Sequence, residues 1–184
     1  NNSYILESEY NWRGILVEMD KSFLKKYKKI RPKSIPLIQD ATKINFMNEL
    51  QKVNTPQIID YLQIDLEVNN CSTLKTLELL DNLKIFKNYK FQTITFEHDI
   101  YRKKYDKDIF DITREKSREI FLKHGYKMVF SDVSNENNPY EDWYIHPDIV
   151  NINKINKIIN NNKEKYKYIN KLNLHHIDHK VIEY

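Results

Sequence analysis

The sequence predicts an α/β protein built on a doubly wound, mostly parallel sheet. Three short apolar runs each stop at a carboxylate: Ile15 to Asp20, Tyr61 to Glu67 and Ile94 to Asp99. Runs of this length and composition are typical of strands that are buried on both faces of a parallel sheet. Segments with helical periodicity separate them, as crossover connections require. Because the ligand crevice of such sheets lies beyond the carboxyl ends of the strands, the repeated acids indicate a functional site there.

Helices and strands alternate along the first half of the chain. Gly14 opens the first strand, and Asp20 or Ser22 caps the helix that follows it. Pro36 places the second strand toward a sheet edge, because proline cannot donate a ladder hydrogen bond. The predicted elements are, in order, a helix over Ser3 to Tyr10, a strand from Ile15, a helix around Lys25 to Lys33, a strand over Ser34 to Ala41, a helix over Asn45 to Val53 and a strand over Ile58 to Leu66.

The second half continues the alternation and ends in a helical extension. Ser72 caps a helix with leucines at helical spacing, and Gly125 ends a later helix with a left-handed cap. The predicted elements are a helix over Ser72 to Leu83, a strand over Phe91 to Glu97, a helix over Arg114 to His124, a strand over Tyr126 to Val133, a loop over Ser134 to Pro139, a strand over Glu141 to His146 and a helix from Asn151 that Asn160 to Asn162 interrupts. We expect one domain over residues 1–150 and an Asn/Lys-rich helical extension over residues 151–184.

The composition predicts a cytoplasmic globular protein. The chain has 184 residues, of which 40% are hydrophobic and 30% charged, enough for one domain with its own core. No apolar stretch is long enough to cross a bilayer, and the polar start lacks the layout of a signal peptide. The single cysteine, Cys71, excludes an internal disulfide, and no neighbouring base activates it as a nucleophile.

The charge pattern does not indicate a nucleic-acid partner. The net charge is +4, from 30 basic and 26 acidic residues. The densest basic cluster, Lys25 to Lys33, falls on a predicted amphipathic helix, where lysines form the solvated outer face. The alternative, a phosphate-binding patch, would give the strongly salt-dependent binding of nucleic-acid sites. The sequence leaves a homo-oligomer open.

Five segments in a fixed order carry a family resemblance. They are WRGILVEMD (residues 12–20), IDYLQIDLE (59–67), TITFEHD (93–99), SREIFLKHGYKMVF (117–130) and YEDWYIHP (140–147). Their order and spacing resembles the class I S-adenosylmethionine-dependent methyltransferases, in particular the FkbM-type branch. The resemblance implies a Rossmann-like sheet with one antiparallel strand near the C-terminus, S-adenosylmethionine as cofactor, and transfer of its methyl group to a hydroxyl of a sugar or other small molecule.

The resemblance also implies which residues bind the cofactor. Glu18 would accept hydrogen bonds from the ribose hydroxyls, and Asp40 would meet the adenine amino group while Ala41 leaves room for the ring. Asp65 would hold the methionine amino group or a metal ion. The alternative for Glu18 is a solvent-facing acid at a strand end, and for Asp40 and Ala41 it is an ordinary turn from strand to helix.

The candidate catalytic residues follow the two central strands. Adjacent strands lie about 4.8 Å apart, so we expect Asp65 to converge with the segment from Glu97 to Asp99. His98 is the candidate general base for the acceptor hydroxyl, with Asp65 and Glu97 beside it. Alternatively, Asp65, Glu97 and Asp99 hold a divalent cation such as Mg²⁺ that acidifies the hydroxyl. The alternative for His98 itself is a histidine hydrogen-bonded at a strand end.

The chain departs from the family pattern in its glycines. It contains only Gly14 and Gly125, so the glycine-rich turn after the family's first strand has no counterpart. In addition, Glu67 is followed by Val68 instead of the usual glycine. We therefore expect the first strand to be missing, the chain to be partial and cofactor binding to be poor. The alternative function is a catalytically inactive, methyltransferase-like structural or interaction domain of a larger glycan-modifying protein.

Overall fold

The computed structural model describes residues 3–104, 107–135 and 137–166, and it confirms the predicted α/β class. The chain divides into two compact units, of which the first is described over residues 3–44 and the second from residue 45 onward. None of the described helices is long and apolar enough to cross a membrane. Residues 167–184 of the predicted extension lie outside the described residues, and the domain boundary at residue 150 stays a prediction.

The first unit contains one pair of parallel strands. Its elements are α1 (Tyr4–Ser8), β1 (Ile15–Glu18), α2 (Phe23–Ile30), β2 (Ile35–Ile38) and a 3₁₀ turn (Ala41–Lys43). β1 ends at Glu18, two residues before the predicted end. Of the two predicted caps of α2, Asp20 provides the contact, because its Oδ1 accepts a hydrogen bond from the Ser22 backbone N–H at 2.8 Å, whereas the Ser22 side chain caps nothing.

A buried ion pair ties the elements of the first unit together. Glu7 of α1 accepts hydrogen bonds from Arg31 Nε at 2.8 Å, from the Lys33 backbone N–H at 2.8 Å and from the Ser34 hydroxyl. Both charged side chains are almost completely buried. These contacts hold the pKa of Glu7 below its usual value, although burial alone would raise it. The pair therefore joins α1 to the connection between α2 and β2.

The second unit contains a mixed four-stranded sheet in the order β3-β4-β6-β5. Its elements are α3 (Phe46–Lys52), β3 (Ile58–Ile64), α4 (Ser72–Asn82), α5 (Ile85–Asn88), β4 (Lys90–Glu97), a 3₁₀ segment (Ile100–Lys104), α6 (Lys107–Lys123), β5 (Lys127–Asn135), β6 (Asn138–Ile145) and α7 (Ile152–Tyr166). β3 and β4 are parallel, whereas β6 is antiparallel to both of its neighbours, β4 and β5. The predicted reversed strand near the C-terminus is therefore present.

Four local predictions for this unit were wrong. The predicted loop over Ser134 to Pro139 is mostly strand, because β5 and β6 form a tight hairpin paired as far as Asn135 and Asn138. Helix α6 begins at Lys107 instead of Arg114, and α7 continues through residues 160–162, which the sequence predicted to interrupt it. The residue that precedes α4 is Cys71, in a left-handed conformation with φ 63°, and not Ser72. The left-handed Gly125 after α6 is confirmed, with φ 81°.

Aromatic side chains build the core between the sheet and its helices. The Phe121 ring of α6 lies 4.6 Å from that of Tyr144, 5.7 Å from Phe96 and 5.9 Å from Phe86, measured between ring centroids. Side chains alternate along a strand, so the buried residues Ile94 and Phe96 place one face of β4 against α6. At this end of β4 the opposite face carries Thr93, Thr95 and Glu97.

Candidate functional site

Two carboxyl groups meet at the carboxyl ends of the parallel strands β3 and β4. Asp65 directly follows β3, Glu97 is the last residue of β4, and their side chains share a hydrogen bond. Burial and the neighbouring Asp65 raise the pKa of Glu97 to about 10, so one member of the pair carries a proton at neutral pH. Asp65 is the exposed member and also accepts a hydrogen bond from Gln63 Nε2 at 3.0 Å. The structure thus brings two of the predicted catalytic residues together.

Glu141 adds a third carboxyl group to this pair. It is the cross-strand partner of Glu97 in the antiparallel ladder, and it is buried. Trp143 Nε1 donates a hydrogen bond to Glu141 Oε1 at 2.6 Å. Residues directly opposite each other on one face have close side chains, and like charges there repel. The charge of Glu141 therefore contributes to the raised pKa of Glu97.

Asp99, the third predicted metal ligand, is paired with a cation of its own. Arg102 Nη1 lies 3.2 Å from Asp99 Oδ2 and 3.3 Å from Glu67 Oε1. Burial nevertheless raises the pKa of Asp99 above its usual value. Its backbone has a φ of 50°, a left-handed conformation that side-chain-bearing residues seldom adopt. The structure therefore places Asp99 in an ion pair at the end of β4, and its role as a metal ligand stays a prediction.

His98 directly follows β4 and is fully buried. The Ile100 backbone N–H donates a hydrogen bond to its Nδ1 at 3.2 Å, which assigns the ring proton to Nε2. Nε2 in turn lies 3.5 Å from Asp142 Oδ1 and 3.6 Å from Asp132 Oδ1. Both ring nitrogens thus face protein atoms, whereas a general base must reach its substrate. This placement matches the alternative of a hydrogen-bonded strand-end histidine, so we do not retain His98 as the base.

His98, Asp132 and Asp142 are the group of potential metal ligands that the described residues contain, with ligand atoms within 4.8 Å of one another. Two arginines already occupy these carboxylates. Arg118 Nε lies 2.7 Å from Asp142 Oδ2, and Arg114 Nε lies 3.0 Å from Asp132 Oδ1. To bind a metal ion through Nε2, the neutral ring would have to carry its proton on Nδ1 and lose the hydrogen bond from the Ile100 backbone N–H. We therefore assign these five residues as a buried charge network in which two arginines balance two aspartates.

The candidate cofactor residues of the first unit lie at the ends of β1 and β2. Glu18 is the last residue of β1, is half-buried and accepts a hydrogen bond from the Asp20 backbone N–H at 3.0 Å. Asp40 caps the 3₁₀ turn, accepting from Thr42 Oγ1 at 2.7 Å and from the Thr42 backbone N–H at 3.0 Å. These hydrogen bonds and the nearby Lys43 lower the pKa of Asp40 to about 2. Asp40 and the buried Ala41 therefore form a regular capped turn, and their contact with adenine stays a prediction.

The residues that surround His98 and Glu97 were not predicted from the sequence. Arg114 and Arg118 are one helical turn apart on α6, and Asp142 lies on the same face of β6 as the buried Tyr144. A charged residue at such a position of a buried strand signals a partner in the core. Glu141 had no comparable signal, because its proximity to Glu97 depends on the antiparallel register.

Comparison with known proteins adds no relative. No protein family model matches the chain, and neither a curated protein nor a solved structure matches it.

Proposed function

We propose that the chain is an S-adenosylmethionine-dependent O-methyltransferase that acts on a hydroxyl of a sugar or other small molecule. The observation that carries the proposal is the arrangement of strands with their terminal acids. β1 and β2 are parallel, with Glu18 as the last residue of β1 and Asp40 two residues beyond β2. β3 and β4 are also parallel, with Asp65 directly after β3 and Glu97 as the last residue of β4. In doubly wound sheets, ligands bind beyond these carboxyl ends.

The direction of β6 supports the same proposal. The FkbM-type resemblance implies one antiparallel strand near the C-terminus, and β6 runs antiparallel to both of its neighbours in the four-stranded sheet. Doubly wound sheets are mostly parallel. Taken separately, the sheet of the first unit is one parallel pair, and the four-stranded sheet of the second unit begins with a parallel pair, to which β6 and β5 add antiparallel pairing.

In the second unit, we propose that Asp65 and Glu97 serve the acceptor hydroxyl. S-adenosylmethionine supplies an electrophilic methyl group, and the attacking hydroxyl must lose its proton. Asp65 is exposed and serves as the proton acceptor, while burial and the neighbouring Asp65 raise the pKa of Glu97 to about 10, so Glu97 keeps its proton and orients Asp65. Glu18 provides two carboxylate oxygens for a pair of ribose hydroxyls.

Hard carboxylate oxygens also suit Mg²⁺, the alternative means of acidifying the hydroxyl. Asp65 and Glu97 offer such oxygens, whereas Asp99 is neutralised by Arg102. Binding of Mg²⁺ to the pair would displace the proton on Glu97. Calorimetric titration of Mg²⁺ in two buffers of different ionisation enthalpy measures this proton release directly.

Isothermal titration calorimetry with S-adenosylmethionine tests the proposal. We expect saturable binding by the unmodified chain and about tenfold weaker binding by Glu18→Gln, which loses the charge that accepts both hydroxyls. Glu9→Gln, an exposed acid of the same unit, is the matched control and should leave the affinity unchanged. Absence of binding at millimolar cofactor, or equal affinities in the two variants, would contradict the proposal.

One observation favours a second candidate, the catalytically inactive methyltransferase-like domain. Both glycines lie away from the carboxyl ends of the parallel strands, since Gly14 precedes β1 and Gly125 follows α6. A close approach of backbone to the cofactor normally requires glycine at such a turn. Incubation with radiolabelled S-adenosylmethionine and a panel of sugars separates the candidates: binding with transfer supports the enzyme, whereas no cofactor binding supports the inactive domain.

A further inference from the structure

The buried charge network beside β4 is connected to the candidate site through the backbone. Its members are His98, Arg114, Arg118, Asp132 and Asp142, and both His98 and Asp142 are fully buried. His98 lies between Glu97 and Asp99 in the sequence, so a contact that holds its ring also restrains the backbone that carries the two flanking acids. The network therefore influences where Glu97 and Asp99 lie, although neither of them belongs to it.

Asp142 is the most firmly held member of the network. Arg118 contacts both of its oxygens, with Nε 2.7 Å from Oδ2 and Nη2 3.0 Å from Oδ1. The backbone N–H of Asp132 donates to Oδ1 at 2.8 Å, and the Tyr144 hydroxyl donates to Oδ2 at 3.2 Å. With both oxygens held in this way, Oδ1 is a fixed negative group opposite the His98 ring.

The His98 ring connects Asp142 to the turn that follows β4. Its Nε2–H faces Oδ1 of both Asp132 and Asp142, at 3.6 Å and 3.5 Å, which are electrostatic contacts longer than ordinary hydrogen bonds. Its Nδ1 accepts the hydrogen bond from the Ile100 backbone N–H at 3.2 Å. A ring turned away from the two aspartates would lose both interactions at once.

The turn from His98 to Ile100 needs such support because Asp99 adopts a left-handed backbone conformation. The backbone N–H groups of His98 and Asp99 both donate to the Tyr140 carbonyl oxygen, at 2.7 Å and 2.9 Å. The Ile100 N–H is the third donor of the turn, and the His98 ring is its acceptor. The side chain of His98 thus completes the set of hydrogen bonds that defines the turn.

We propose that Asp142, held by Arg118, acts through the His98 ring as a positioning residue that fixes the turn from His98 to Ile100. The turn sets where Glu97 and Asp99 lie at the end of β4. The inference rests on the proposed function only for what these two acids do, because the turn itself is tested without any cofactor.

Nuclear magnetic resonance of the full chain provides the test. In the unmodified protein we expect an unprotonated Nδ1 and a protonated Nε2 in the His98 ring, and a scalar coupling between the Ile100 amide nitrogen and Nδ1. In Asp142→Asn the coupling should disappear, and amide exchange at Ile100 should accelerate about tenfold. The matched control is Asp81→Asn, since Asp81 also contacts a histidine and a basic residue of the same region, His124 and Lys123. It should leave Ile100 unchanged.

Asp132→Asn covers the case in which Asp142→Asn does not fold. Asp132 is partly exposed and has a φ of 53°, which asparagine tolerates, so this variant should fold. We expect amide exchange at Ile100 to accelerate in this variant as well, but by less than in Asp142→Asn. Replacing His98 by Asn, whose amide oxygen can occupy the place of Nδ1, should preserve the protection of Ile100, whereas His98→Leu should remove it.

A proton on Nδ1 in the unmodified protein would overturn the inference. So would a folded Asp142→Asn or Asp132→Asn variant in which the coupling and the exchange at Ile100 are unchanged. Neither result depends on S-adenosylmethionine, so a chain that fails to bind the cofactor contradicts the proposed function and leaves this inference standing.

Discussion

Asp65 and Glu97 share a hydrogen bond between two acidic side chains at the ends of adjacent parallel strands. Burial and the neighbouring Asp65 raise the pKa of Glu97 to about 10, so Glu97 holds a proton at neutral pH. The two acids differ in their exposure. Asp65 is exposed to solvent, whereas Glu97 is enclosed by Glu141 and the rest of the sheet. Glu97, at the end of β4, therefore holds a proton and lies beside Asp65, which can accept one.

Replacing Glu97 by Gln should stabilise the protein at neutral and alkaline pH by about 1 kcal/mol. The folded pKa of Glu97 is raised from 4.5 to about 10, so between these values the folded state holds a proton that the unfolded state has released. The free energy of unfolding should therefore fall as pH rises through this window, and the variant should lack that part of the slope.

Urea denaturation at pH 5, 7 and 9 measures the effect of this substitution. Glu119→Gln, at an exposed position of α6, should keep the slope of the unmodified protein. A Glu97→Gln variant that is less stable at pH 9, with the slope intact, would show that Glu97 is ionised in the folded state.

Arg118→Met should destabilise the second unit by about 3 kcal/mol, because it leaves the buried Asp142 carboxylate without its guanidinium partner. The loss corresponds to a decrease in Tm of about 6 to 12 °C. Contacts with His98 and Arg118 hold the pKa of Asp142 below its usual range, although burial alone would raise it. The stabilisation is therefore present at neutral pH and is lost as pH falls through that folded pKa.

Lys116→Met is the matched control for Arg118→Met on the same helix. Lys116 makes an exposed ion pair with Glu78 at 3.6 Å, so its removal should change the stability by less than about 1 kcal/mol. Thermal unfolding followed by circular dichroism compares the two variants. Equal Tm values for them would mean that the network contributes nothing to folding.

Glu7→Gln should destabilise the first unit by about 2 to 3 kcal/mol. Glu7 balances the buried charge of Arg31, and the amide cannot do so. Residue-resolved amide exchange at Ile35, whose N–H donates to the Gly14 carbonyl, is the appropriate measurement because it reports on the first unit itself. Exchange at Ile35 should accelerate in Glu7→Gln and stay unchanged in Glu9→Gln; identical behaviour of the two variants would contradict the role of the pair.

The sequence predicted the strands well where the apolar runs are short and bounded. It failed at the hairpin between β5 and β6, since Asn135, Asn137 and Pro139 are typical turn residues and nothing local indicates that pairing continues beside them. The early start of α6 was hidden because its buried face, which includes Phe110 and Thr113, is interrupted by charged residues.

The meeting of Asp65 and Glu97 could be predicted because parallel neighbours end at the same edge of a sheet. The burial of His98 was also readable, since position 98 continues the alternation of Ile94 and Phe96. Its contact with Asp142 was not, because that contact requires the register of an antiparallel partner far along the chain.

Titration of the chain with S-adenosylhomocysteine, followed by amide chemical shifts, tests the proposed cofactor site most directly. We predict that the shifts change at the carboxyl ends of the parallel strands, around Glu18, Asp40 and Asp65, and that Glu18→Gln weakens the response while Glu9→Gln does not. Absence of any change at millimolar ligand, or changes confined to residues away from these strand ends, would contradict the account.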